Sequence, residues 1–282
     1  MPRPGNRWRL PLFFGLAYLF TWSVWIPMAA AGVRVRPGAG SAYLAGHLGP
    51  MLSAFAVAAL LDGRPGVGSL LRSMFRWRVG WRAAAVALGT PLTFGAAGVA
   101  ASAVVEGRAP DLAGFALYPG APSWGLPPAI CLAAVFNGFG EEAGWRGFAL
   151  PALERRLSPL AASLVLAPLW ALWHWPAFLL SDSYRAFSPL LLLGFLVGLA
   201  AGSVVLAHVY HRCRDSVLLA VGWHVVFNFF SATAAARGLV AAATSALVIA
   251  WAVSLVRREV VAQRRGGSVL RPAQPPTGQE RQ

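Results

Sequence analysis

Of the ten acidic residues in the chain, only Glu141 and Glu142 fall well within an apolar run, the stretch from Phe136 to Phe148. An acid at the centre of a bilayer costs about 2.5–3.5 kcal/mol on insertion scales, and adjacent carboxylates also repel each other. Arg146 stands four residues after Glu142, in the favourable order for an ion pair on one helix face. Glu141 lies about 100° further round the helix and cannot face the same arginine. It is free for another partner. Two of the five histidines, His174 and His224, are also set deep in apolar runs, and Asn228 follows His224 by four residues, which places both on one face. A carboxylate removed from water is a stronger base, imidazoles move protons, and an amide one turn from an imidazole adds a second hydrogen-bond donor. Such groups are expensive in lipid unless they share a cavity. The remaining histidines read as structural: His47 as one satisfied by a backbone carbonyl, His208 and His211 as interfacial beside Arg212 and Arg214.

The elements that must carry these residues can be read from composition. The chain has 282 residues, 57% of them hydrophobic and 12% charged. Soluble domains carry about 25% charged residues, so the bilayer is the expected solvent. The formal charge of +14 would suggest nucleic acid if its sources were clustered. They instead punctuate apolar runs, the pattern of membrane-protein loops. With about 20 apolar residues needed per span, eight spans are expected: 10–32, 43–61, 83–105, 125–151, 159–180, 187–210, 216–234 and 238–256. Connectors such as Asp62-Gly63-Arg64-Pro65-Gly66 separate them. With the N-terminus inside, arginines divide 19 to 5 in favour of the cytoplasmic side, which places both termini in the cytoplasm. The fold class is therefore all-α and polytopic, with one transmembrane domain over 1–256 and a disordered basic tail over 257–282. Glu142 and His224 fall at matching depths, about 10–12 Å from the cytoplasmic boundary, whereas His174 falls about 22 Å in. Cys131 and Cys213 match no metal or redox spacing. Gly194, Gly198 and Gly202 form a ridge without side chains that is expected to seat a neighbouring helix.

Three segments resemble the CAAX protease and bacteriocin-processing (CPBP) family of intramembrane glutamic endopeptidases. Glu141, Glu142 and Arg146 match its Glu-Glu-x-x-x-Arg motif. His174 matches Phe-x-x-x-His with Trp170 in the place of Phe, and His224 and Asn228 match His-x-x-x-Asn. The motifs occur in the family's order, within about 120–235. The resemblance implies an endopeptidase in which Glu141 activates water, His174 shares or orients it, and His224 and Asn228 stabilise the oxyanion. Glu142 and Arg146 would support the site, and the departure at Trp170 would touch only local packing. The implied partners are a peptide or membrane-protein substrate and the lipid bilayer, with no nucleic acid. The expected location is the inner (plasma) membrane of a bacterium. No cofactor is expected. The alternatives are a zinc metalloprotease, disfavoured because His-Glu-x-x-His is missing and Asn ligates zinc poorly, and a transporter or an immunity-type peptide-binding protein.

Overall fold

A computed structural model describes residues 7–271. Eight helical segments fall within or across the eight expected stretches. They are α1 (Arg9–Ala30), α2 (Gly49–Met74), α3 (Trp81–Glu106), α4 (126–153), α5 (Pro159–Trp173), α6 (Pro189–Arg212), α7 (Val217–Phe229) and α8 (Leu239–Gln263). Among the described residues there is no strand, only two isolated bridges, Val35 with Ser181 and Pro37 with Pro119. Six helical segments are long and apolar enough to cross a membrane, which makes this a multi-pass membrane protein. The other two are α4, a run about 42 Å long at 1.5 Å per residue, and α7, with 13 residues.

Local chemistry sets several of these boundaries. Ser158, Ser188 and Ser216 each accept a hydrogen bond from the backbone N–H three residues on, capping α5, α6 and α7. Pro159 and Pro189 occupy first-turn positions where the missing N–H costs nothing. The connector at 62–66 does not end its helix as expected. Gly63 takes φ 65° and breaks α2, and the helix then resumes to Met74, because Pro65 is tolerated in the first turn of the new segment.

Two further expectations are corrected. The tail is not disordered from 257: α8 continues to Gln263, and Glu259, fully buried, accepts the backbone N–H groups of Val269 and Leu270 at 2.6 and 2.9 Å. A buried carboxylate needs donors, and the returning segment supplies them. The rest of the expected tail, 272–282, lies outside the described residues. The Gly194–Gly198 part of the α6 ridge seats no helix, since a Cβ at either position would meet nothing within 4 Å. Only Gly202 approaches a neighbour, Trp170. The packed half of α6 is its second, where Ala201–His211 is buried all round.

Close helix approach instead occurs at Gly140 and Gly144 on α4. A Cβ at Gly140 would stand 2.5 Å from the carbonyl oxygen of His47, and one at Gly144 would stand 2.6 Å from Pro50. These glycines let the start of α2 press backbone to backbone against the segment that carries the acids.

Candidate active site

The acids sit on the short α-helical stretch Gly140–Gly144 of α4, bracketed by π-helical turns at Ala134–Phe139 and Trp145–Ala149. A π turn inserts an extra residue and rotates the remainder of the helix about its axis, and such turns recur at functional sites. Glu141, Glu142, Arg146, His174 and His224 are all buried, and Asn228 is half-buried.

Arg146 Nη1 donates to Glu142 Oε1 at 2.9 Å, the ion pair expected from the spacing. The same Oε1 accepts from His224 Nδ1 at 2.7 Å. Glu142 thus joins two of the three motifs, where the spacing alone had tied it only to Arg146. Glu141 takes a different partner from Glu142, and its Oε2 accepts the indole N–H of Trp170 at 2.8 Å. Trp170 is therefore more than packing, which corrects the reading of that position. Its ring lies under the Arg146 guanidinium, 4.5 Å from centroid to Cζ, and meets the His224 ring edge-on at 5.8 Å.

His174 caps the C-terminal end of α5, and its Nδ1 donates to the Trp170 carbonyl at 2.8 Å. A carbonyl only accepts, so Nδ1 carries the proton and Nε2 of the neutral ring presents a lone pair. The His174 ring stands 5.8 Å from that of Trp170, so the unequal depths counted along the helices do not separate it from the acids. Phe195 of α6 meets the His174 ring at 5.6 Å in an edge-to-face contact, part of an aromatic group with Phe178, Tyr184 and Phe187. Asn228, one turn beyond His224, donates from Nδ2 to the Tyr118 hydroxyl at 3.2 Å. The structure thus gathers Glu141, Glu142, Arg146, His174 and His224 around Trp170, with Asn228 at the edge of the group.

Sequence reasoning missed three residues here. Trp170 carried a signal, an indole N–H at a position where Phe is usual. Tyr118 carried none, because it lies in an irregular segment 110 residues from its partner. His47 is buried among the rings of Trp25, Tyr43 and Trp173, within electrostatic range of His174 and His224. The carbonyls of Tyr43 and Leu44 lie beside its ring, but among the described residues Nδ1 makes no well-aligned hydrogen bond. His208 and His211, expected at the interface, are buried in polar contacts instead. His208 bonds the Val269 carbonyl at 3.1 Å, and His211 bridges Asp215 and Glu154 at 2.7 Å each. Among the described residues no three His, Cys, Asp or Glu side chains converge as a metal-binding group.

Comparison with known proteins falls on the same segment. Residues 123–230 match the family model of type II CAAX prenyl endopeptidases, Rce1-like, and this range holds all six motif residues. A stretch of 103 residues is 31% identical to CAAX prenyl protease 2 of Methanococcus maripaludis, covering 35% of this chain and 36% of the relative. The chain thus matches about a third of that relative's length. With three motifs in order, their side chains gathered in one cluster and this match across them, the segment 123–230 is similar to the CAAX protease family.

Proposed function

We propose that the chain is an intramembrane endopeptidase that hydrolyses a peptide bond with water activated by Glu141. The observation that carries this reading is the convergence of the three motifs. Glu142 Oε1 binds Arg146 and His224 together, while Glu141 and His174 meet through Trp170. In the reaction Glu141 takes a proton from water as the oxygen attacks the carbonyl carbon. His174 Nε2, left with a lone pair by the Nδ1 bond to the Trp170 carbonyl, accepts a hydrogen bond from the same water and orients it. His224, when protonated and paired with Glu142, offers Nε2–H to the developing oxyanion, and the Asn228 amide adds a second donor. Glu141 then passes its proton to the leaving amine, which closes the cycle without net change in the protein.

The named relative is a CAAX prenyl protease. We extend peptide hydrolysis at the membrane to this chain, with a peptide or membrane-protein tail as substrate. The arginine distribution supports an arrangement with both termini cytoplasmic, which brings the acid-bearing turn near the cytoplasmic face of the inner membrane. The test is cleavage of a peptide library by the purified protein in lipid nanodiscs, followed by mass spectrometry. Turnover by the wild type, absent in Glu141→Gln and unaffected by strong chelators, is the expected result. Loss of turnover on chelation would favour a metal-dependent reaction, and full activity in Glu141→Gln would exclude Glu141 as the base.

A further inference from the structure

We infer that Trp170 is a positioning residue for Glu141: its indole N–H holds Oε2 and leaves Oε1 of the same carboxylate to face the water. The inference rests on the reading of Glu141 as the general base. It concerns a residue at which this chain departs from the Phe usual in the motif.

Glu141 neighbours a second acid in sequence and is buried, so its orientation needs a donor. Among the described residues that donor is Trp170 Nε1, at 2.8 Å. A hydrogen bond to a carboxylate is charge-assisted and about twice as strong as one between neutral groups. It can orient only if the donor is itself fixed, and Trp170 is fixed on several sides. Arg146 covers one face of its ring, His224 meets it edge-on, and the His174 ring lies 5.8 Å away. The Trp170 carbonyl meanwhile accepts from His174 Nδ1. One residue therefore sets the rotamer of the base through its side chain and the tautomer of the neighbouring imidazole through its backbone. A phenylalanine would fill part of the same space and preserve the backbone bond, but it would donate nothing to Glu141.

The test separates the N–H from the ring, using the full-length protein in nanodiscs. Trp170→Phe removes both the donor and part of the bicycle. Replacement of Trp170 by benzothienylalanine, in which sulfur stands for the indole N–H, keeps the shape and removes only the donor. Both should lower kcat about tenfold with KM changed by less than about twofold, because a mispositioned base is felt in the transition state and not in substrate binding. Wild-type kcat in the benzothienylalanine protein would overturn the inference and leave Trp170 as packing. That variant carries the test alone if Trp170→Phe does not insert. A second readout needs no activity: with 15N-labelled tryptophan, the indole resonance that disappears in Trp170→Phe should move upfield in Glu141→Gln, where a neutral amide replaces the charged acceptor. An unmoved resonance would also overturn it. Turnover retained in Glu141→Gln would instead remove the base reading and this inference together. An inactive Glu141→Gln beside a fully active benzothienylalanine protein would remove this inference alone.

Discussion

At the scale of single residues, the two adjacent glutamates take different partners. Glu142 is fully buried and holds Arg146 and His224 through one oxygen. Removing its charge leaves Arg146 without a counter-ion in a medium that does not solvate it, a loss of about 3–5 kcal/mol for a broken buried pair. Glu142→Gln is therefore expected to lower thermal stability in detergent and activity together, whereas Glu141→Gln is expected to lose turnover with its melting temperature nearly unchanged. Paired turnover and unfolding measurements on the two variants check this. Donation to an oxyanion acts mainly in the transition state, so His224→Ala and Asn228→Ala should each lower kcat about 10²–10³-fold with little change in KM. Tyr118 meets the site through its hydrogen bond with Asn228. Tyr118→Phe should cost about fivefold in kcat, the size of one modest hydrogen bond, and a double-mutant cycle with Asn228→Ala should show the two effects to be non-additive.

At the scale of elements, the glycines that matter are those with backbone against them. Gly140 faces the His47 carbonyl, and Gly144 faces Pro50, so a side chain at either position must push α2 away from the acid-bearing turn. Gly144→Val should abolish activity and lower the yield of inserted protein, whereas Gly198→Leu, with open space around it, should leave turnover and thermal stability near wild type. The regular i, i+4, i+8 spacing on α6 is a property of one helix. Whether a partner lies against it is a property of two. In α8, Glu259 holds the returning segment 268–270 through backbone and serine donors. Glu259→Ala should release that segment, and limited proteolysis with mass spectrometry should find new cleavage between 264 and 271.

At the scale of the whole molecule, the arginines decide orientation. The bias counted over short loops favours cytoplasmic ends, and reporter fusions can read it. A cytoplasm-active reporter should work when fused after position 263 and fail when inserted in the 107–111 loop, with a periplasm-active reporter giving the reverse. The opposite pattern would place the acid-bearing turn near the other face of the membrane.

Much of this was legible in the sequence because it is local. Apolar run length marks the helical segments, serine and proline mark their starts, and an acid in an apolar run marks the candidate site. The Glu142–Arg146 pair lies within two turns of one helix and could be read from spacing alone. The tertiary structure decided which partner each polar group takes: His224 for Glu142 across 82 positions, Trp170 for Glu141 across 29, and Tyr118 for Asn228 across 110. Such pairings depend on the rotational phase of each helix against its neighbours. In α4 that phase is reset by π turns on both sides of the acids, and a 3.6-residue count along the sequence does not register an inserted residue in the turn.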